Sequence, residues 1–493
     1  MRTRSHCLVL GALLLGTSLL NAQGVPATAG QPLTLQQAIE LAQRGSFQAG
    51  AALGARDAAR GRDRGFDSRL LPQISLVGNM PVYDRFIQGV TQPDGSTRFV
   101  PVQQTRADVS MLVTQRVPMT GATVTMSSRL NQFQKSETDF ADAQKSWNST
   151  PFSLSISQPL MRSNTIAWDR ELNGLQADVA ERQFLEARED IAIQASNAFF
   201  DFYAAQVSLR NQTMNAATND TLYRLNQGRY EVGKISENDL LQSELALLRA
   251  RASQDGARLE YDRAQAALRL VLNAPADVPL EIMVTPNVVE VTIDTLIAVQ
   301  QALRNISSVR NLDLQDASAR RAVSEANLNT GPGATLNASY GYNATGAFVN
   351  DVYRDLQPAQ QLSLNVQVPL ISWGARSGDR QAAAAELTRV QNTSRVAREQ
   401  ARQDAHFAAL QVSLSRRQLA IAAKADTVAQ KRFEVAYNRY VIGRIDVDQL
   451  YLAQNEKDQA LLAYVQALKG YWGAYYRLRR VTLYDFERGA GIR

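Results

Sequence analysis

The chain has 493 residues, of which 45% are hydrophobic, 20% charged and 7% aromatic, a composition that excludes a disordered or fibrous protein. The formal net charge is +6, but basic and acidic residues are interspersed, which indicates solvated helix faces and no nucleic-acid patch. Cys7 is the only cysteine, and His6 and His406 are the only histidines, so we expect no metal site, no cofactor and no enzyme activity.

Residues 1–22 have the pattern of a secretory signal peptide. Arg2 and Arg4 precede an apolar run, and the small or polar residues after it predict cleavage after Ala22 or Gly24. The run is shorter than a transmembrane helix, and no later stretch reaches the required length. A membrane-spanning part of this chain would therefore consist of strands.

Residues 23–273 are predicted to form a first structural unit. It begins with a helix at about residues 34–64 and continues with a β segment at about 70–160, in which apolar residues alternate with small polar ones. Ile74, Leu76 and Met80 share one face of such a strand. The pattern fits a soluble sandwich or a barrel wall with lipid outside and water inside, and the export signal favours the barrel.

An insertion between Asp84 and Ser149 contains another alternating pair, at residues 107–113 and 122–128. It forms either an additional barrel hairpin or an extracellular cap. The chain therefore contributes either four or six strands.

A helical hairpin is predicted at about residues 165–272. The stretch from Asp169 to Glu231 has no proline, and its apolar residues recur at alternating spacings of four and three, which is typical of a coiled-coil seam. These residues are Ile191, Ala195, Ala198, Phe202, Ala205 and Leu209. Gly233 marks the point where the chain reverses.

The same organisation then occurs a second time. A linker at residues 274–290 leads into a second unit at 291–481, with a helix at about 294–328, a β segment at about 334–371 and a helical hairpin at about 376–480, before a C-terminal tail at 482–493. An offset of 210 residues relates the two hairpins, and a weaker offset of 260 relates the segments before them. The matched pairs are Pro159 and Pro369, Asp169 and Asp379, Tyr230 and Tyr440, Gly233 and Gly443, Leu240 and Leu450, and, at 260, Pro72 and Pro332 and Leu76 and Leu336.

Doubled motifs give the chain its resemblance to a known family. Ser157–Leu160 and Gln367–Leu370 occupy the two strand-to-helix junctions, and Arg229–Ile235 and Arg439–Ile445 occupy the two hairpin reversals. With these motifs, nearly the whole mature chain resembles the TolC family of outer-membrane channel proteins. The resemblance implies an α+β membrane protein whose trimer forms a β-barrel in the outer membrane that continues as a long α-helical barrel across the periplasm.

The resemblance also implies a passive outer-membrane channel in a tripartite efflux pump or a type I secretion system. Its cargo would be small toxic compounds or secreted protein, and its partners a periplasmic adaptor (membrane fusion) protein and an inner-membrane transporter of the RND or ABC type. Outer-membrane lipid would surround the barrel. The alternative from the residues is a periplasmic coiled-coil adaptor or structural protein, but an adaptor is expected to have only one helical hairpin.

The candidate functional residues lie around the two reversals. Asp239, Asp446 and Asp448 are expected to form carboxylate rings at the periplasmic gate, although Gln449 occupies the position equivalent to Asp239. Further gate candidates would hold neighbouring hairpins together, namely Arg229, Tyr230, Tyr440 and Arg444. Gly233 and Gly443 are predicted to form the surface on which the partner docks.

Overall fold

The computed structural model describes residues 32–92, 94–135, 143–275, 280–284 and 292–492. The predicted signal peptide and parts of the linker lie outside these residues. The first unit consists of α1 (Leu35–Gly45), α2 (Phe47–Arg69), β1 (Gln73–Thr91), β2 (Thr97–Val117), β3 (Ala122–Lys135), β4 (Gln144–Leu160), α3 (Thr165–Glu231) and α4 (Glu237–Leu272). The second consists of α5 (Thr295–Asn305), α6 (Ser307–Leu328), β5 (Gly333–Gly346), β6 (Gln357–Gln367), α7 (Ala375–Val441) and α8 (Val447–Thr482).

The internal duplication extends to the ends of the helices. Both long helices have 67 residues and both return helices have 36, and each pair is related by an offset of 210. The helices α1 and α5 and the first residues of β1 and β5 are related by 260. The two offsets differ because the first unit contains the additional strands β2 and β3.

The short helices before each sheet segment differ from the prediction. Single helices were expected at 34–64 and 294–328, but the chain is extended at Ser46 (ψ 153°) and Ile306 (ψ 139°), and a new helix starts after each residue. The Ser46 side chain accepts a hydrogen bond from the Ala49 backbone N–H, so it caps α2. Ile306 has no capping side chain, and the carboxylate of Glu186 on α3 accepts the Ser307 N–H instead.

All six long strands form one antiparallel sheet in the order β1-β2-β3-β4-β5-β6. The inserted segment supplies β2 and β3, so the described chain contributes six strands. The pairing of β4 with β5 joins the two units, with Leu154 opposite Tyr340 and Ile156 opposite Ala338. Within the described ranges, no helix has both the length and the apolar character needed to cross a membrane.

The main hydrophobic core lies midway along the long helices. Phe199, Phe200 and Phe202 of α3 are fully buried there with Leu268 of α4 and Leu478 of α8. Burial of these aromatic rings supplies much of the apolar area that holds the helices together.

The predicted C-terminal tail, residues 482–493, contains a short hairpin. Its strands are β7 (Tyr484–Asp485) and β8 (Ala490–Gly491). The Asp485 carboxylate lies 3.3 Å from the Arg479 guanidinium and accepts a hydrogen bond from the Tyr475 hydroxyl. These contacts fasten the hairpin to α8.

Candidate functional site

The sheet has one apolar and one polar face. On β6, Leu362, Leu364 and Val366 are exposed on one side, and Ser363 and Asn365 occupy the alternate positions. The other strands repeat the pattern, with apolar residues that include Ile74, Leu76, Phe152, Leu154 and Ile156, and polar residues that include Ser153, Ser155, Ser157 and Asn337. Successive side chains of a strand point to opposite faces, so the sheet can separate lipid from water.

The inserted hairpin continues the same wall. Met111 of β2 pairs with Leu76 of β1, and Val113 pairs with Ile74. Directly opposite residues share a face of the sheet, so the apolar side of the insertion is continuous with that of β1. The inserted hairpin is therefore part of the sheet rather than a separate cap.

The junction between β4 and α3 is fastened to both units. The Asn164 side chain caps α3 at the Ala167 N–H and donates to the carbonyl oxygen of Pro118 in the β2–β3 turn, at 2.7 Å. The Ser163 N–H donates to the Asn329 side chain at the end of α6. The equivalent junction after β6 presents Trp373 to solvent, 94% exposed.

The two hairpin reversals have the same backbone geometry. Gly233 has φ +71° and Gly443 has φ +73°, in the left-handed region that favours glycine. In the first reversal the Lys234 N–H donates to the Arg229 carbonyl, and the Gly233 N–H donates to that of Tyr230. This is a Schellman motif, and the second reversal repeats both bonds.

A set of contacts fastens the two tips to each other within the chain. Tyr440 is only 5% exposed, and its hydroxyl donates to the Asn226 side-chain oxygen at 2.8 Å. The Arg229 guanidinium lies 5.4 Å from the centre of the Tyr440 ring and donates to the Val441 carbonyl at 3.0 Å. We call Asn226, Arg229, Tyr440 and Val441 the tip latch.

The three predicted gate aspartates make different contacts. The Asp448 carboxylate accepts a hydrogen bond from Gln242 of the first hairpin, so it adds a second link between the tips. The Asp239 carboxylate accepts hydrogen bonds from the backbone and side chain of Ser236, so it helps to cap α4. The Asp446 side chain makes no capping bond at the start of α8.

Tyr230 and Arg444 do not join the tip latch. Tyr230 is the equivalent of Tyr440 but is 41% exposed, and Arg444 is also exposed. Asn226 occupies the position equivalent to Ala436, which has no side-chain hydrogen-bonding group. The latch is therefore specific to the contact between the two hairpins of one chain.

Two contributing residues, Asn226 and Gln242, were not predicted. Continuing the four-and-three alternation of the long helix beyond Leu209 leads to Asn219 and Asn226. Amide side chains at seam positions need partners when buried, and this requirement was the available signal. Gln242 carried no comparable signal, because it lies on α4, outside this alternation.

The tips also have a small apolar core. Leu222, Tyr440, Val447 and Leu450 are buried together, with Tyr451 packed against them. Burial raises the pKa of Tyr451 to about 12. Its hydroxyl therefore stays neutral at physiological pH and adds no charge beside Asp448.

Part of the chain matches a known protein family in sequence. Residues 100–274 match the family model described as outer membrane efflux protein. No curated protein sequence gives a significant match.

Several solved structures have a similar fold. The CmeC outer membrane channel of Campylobacter jejuni has a TM-score of 0.65 at 15% identity, over 93% of this chain and 86% of that one. The outer membrane protein VceC of Vibrio cholerae has a TM-score of 0.64 at 13% identity, over 93% and 97%. The MtrE outer membrane channel of Neisseria gonorrhoeae, in its open state, has a TM-score of 0.62 at 13% identity, over 93% and 89%.

Proposed function

We propose that the chain is an outer membrane efflux protein, as the match of residues 100–274 to that family model indicates, and that three copies of it form one continuous export duct from the periplasm through the outer membrane. Such a channel would move its cargo without chemical conversion, so we expect no enzyme activity from the chain. The proposal concerns how the chain builds the duct, what gates it and which partners it meets.

The observation that carries the proposal is a two-faced sheet with two free edges. Among the described strands, β1 and β6 each pair on one side only, and both present apolar residues on the same face. Six strands are fewer than the roughly eight that the smallest barrels need. Edges of several copies must therefore pair, and three copies supply eighteen strands.

The internal duplication specifies the register of that pairing. The β4–β5 pairs Leu154 with Tyr340 and Ile156 with Ala338 are observed within the chain. Applying the two offsets places Leu364 of β6 opposite Met80 of β1 in the next copy, and Val366 opposite Gly78. Both predicted pairs keep apolar residues on the outer face.

The helices supply the periplasmic part of the duct. A helix of 67 residues is about 100 Å long at 1.5 Å per residue, which suits a conduit across the periplasm. The tips would then lie farthest from the membrane, where a periplasmic adaptor and an RND-type or ABC-type transporter would meet them. The polar face of the sheet suits a water-filled lumen that passes either small toxic compounds or secreted polypeptide.

The tip latch is proposed to hold the resting gate. It fastens the two hairpins of one chain, and Asp446 and Asp448 of three chains would ring the axis beside it. The adaptor alternative required a single helical hairpin, and the chain has two.

Disulfide crosslinking tests the assembly and its register. The double variant Leu364→Cys, Met80→Cys is expected to form disulfides between chains in isolated outer membranes, because paired strand residues have the required separation. Cys7, in the predicted leader, is the only native cysteine, so the background is low.

The control variant carries Leu364→Cys with Leu76→Cys on the same face of β1. It lies four residues out of register, about 13 Å along the strand, and should remain uncrosslinked. Crosslinking of neither pair would contradict the closed three-chain barrel, and crosslinking of both would contradict the register.

A further inference from the structure

Polar pairs join the two units inside one chain. We call the contacts of α3 with α6 and α8 the internal seam. Asp458 of α8 accepts hydrogen bonds from Asn211 at 2.8 Å and from Asn215 at 2.7 Å. The other pairs across this seam include Lys469 with Asp201 at 2.6 Å, Arg480 with Asp190 at 3.1 Å, and Ser307 with Glu186 at 2.6 Å.

The equivalent positions elsewhere in the chain are largely apolar. The offset of 210 carries Asn211 to Ile421 and Asp458 to Leu248, whose side chains are 70% and 56% exposed. The other exposed apolar equivalents are Leu259 for Lys469, Leu270 for Arg480, Val396 for Glu186 and, at 260, Phe47 for Ser307. We call this second set of positions, on α7 and on α2 and α4, the external seam.

A groove lies on the external seam at the positions equivalent to those that hold Asp458 on the internal seam. It has a volume of about 700 Å³ between α7 and α8. Its lining is apolar at Ile421, Ala425 and Val428, and it also contains Lys424 and the ion pair of Arg432 with Glu456. Ile421 and Ala425 are the equivalents of Asn211 and Asn215, the two residues that hold Asp458. The residue equivalent to Asp458 is Leu248, an apolar side chain that matches the apolar part of the groove at Ile421, Ala425 and Val428.

We infer that Leu248 of one chain occupies this groove on the next copy. The polar internal seam then selects the helices that pair within a chain, and the largely apolar external seam selects those that pair between chains. The inference rests on the three-chain assembly proposed above. The long helices and the return helices that form the two seams are equivalent and equal in length, so length alone does not distinguish them.

The chemistry of the two seams penalises each wrong pairing. Leu248 placed on the internal seam would bury the amides of Asn211 and Asn215 without partners. Asp458 placed in the groove would lose its two amide donors, because Ile421 and Ala425 stand at the positions of Asn211 and Asn215 and cannot donate hydrogen bonds from their side chains. Discrimination therefore comes from mismatches as well as from favourable contacts.

The first test compares two leucines of α4. Leu248→Asp should lower the yield of trimer about tenfold or more, because it would bury a carboxylate in the contact between chains. The helical content should stay unchanged, because Leu248 is exposed in the single chain. Leu245→Asp is the matched control, since its equivalent, Asn455, stays exposed although α8 already lies against α3. Trimer yield is measured on unheated gels and helical content by circular dichroism.

Two results would overturn the inference. Either Leu248→Asp assembles as the native chain does, or both variants lose the trimer equally. Failure of the three-chain assembly itself is recognised separately, because the Leu364–Met80 disulfide would then be missing from the otherwise native chain.

The second test moves the polar pair from one seam to the other. Leu248→Asp with Ile421→Asn recreates the Asp458–Asn211 pair between chains and should restore most of the lost trimer, whereas no recovery contradicts the equivalence of the seams. Asp458→Leu with Asn211→Ile gives the internal seam the chemistry of the groove, and we expect assemblies of mixed size. A homogeneous trimer from that variant would overturn the pairing rule.

Discussion

At the scale of single residues, two equivalent tyrosines have different environments. Tyr440 is buried and donates to Asn226, whereas Tyr230 is largely exposed, and the residue equivalent to Asn226 is Ala436. Of the two equivalent pairs, only Tyr440 with Asn226 can form a side-chain hydrogen bond, because Ala436 has no group that accepts one from Tyr230. The contact within a chain should consequently be stronger than the matching contact between chains.

Tyr440→Phe tests this difference. Removing the hydroxyl leaves the buried Asn226 oxygen without its donor, at a cost of about 1–3 kcal/mol, so the resting gate should open more often. Single-channel recording in a planar bilayer is expected to show a higher mean conductance. Tyr230→Phe serves as the control and should behave like the native protein, and an equal rise in both variants would contradict the tip latch.

At the scale of structural elements, the helix reversals depend on glycine conformation rather than on space. Gly233 and Gly443 have positive φ, and no heavy atom lies within 4 Å of the position that a Cβ would take. A side chain there is therefore strained by the backbone but meets no neighbour in the chain. This combination leaves room for a partner helix, as the docking proposal requires.

Substitutions at Gly233 separate strain from docking. Gly233→Ala should cost about 1–2 kcal/mol from the left-handed conformation alone, measured as a lower thermal midpoint of the trimer. Gly228→Ala, within α3 and also free of neighbours at its Cβ, should instead be neutral or stabilising. Gly233→Trp is expected to keep the trimer and outer-membrane insertion but to reduce export. Trimer yield and export falling together would contradict a docking role.

At the scale of the whole molecule, the proposed gate carboxylates would form a ring only in the three-chain assembly. Asp446 starts α8 without a side-chain capping bond, so its charge is not committed within the chain. Three such charges around an axis would attract cations into a constriction. Asp448 differs because it also accepts a hydrogen bond from Gln242.

Asp446→Asn should weaken the cation preference of the channel, read from the reversal potential in a salt gradient. The effect should shrink at high ionic strength because mobile ions screen the ring. Asp94→Asn in the β1–β2 turn makes the same charge change at the far end of the molecule and should leave the preference intact. Unchanged selectivity in Asp446→Asn would remove this residue from the pore.

The helices, the alternating strands and the duplication could be predicted from the sequence alone. Hydrophobic periodicity is set by side chains only a few residues apart, so the long helices were predicted to within a few residues of their observed ends. The glycines at the reversals could also be predicted, because the requirement for a left-handed backbone is local. Ser46 could have been recognised as a helix cap, but its neighbours continued the helical pattern.

Contacts between distant segments select which of two equivalent residues is used. Tyr230 and Tyr440 lie in similar motifs, and the difference in their environments arises from a partner of Tyr440 more than 200 residues away in the chain. The strand count was likewise settled by the pairing of β2 with β1 and of β3 with β4. The breaks at Ser46 and Ile306 allow the short helices to pack along α3 and α7, and these contacts involve side chains that periodicity does not relate. Local patterns specify elements, whereas packing between distant segments selects the residues that work together.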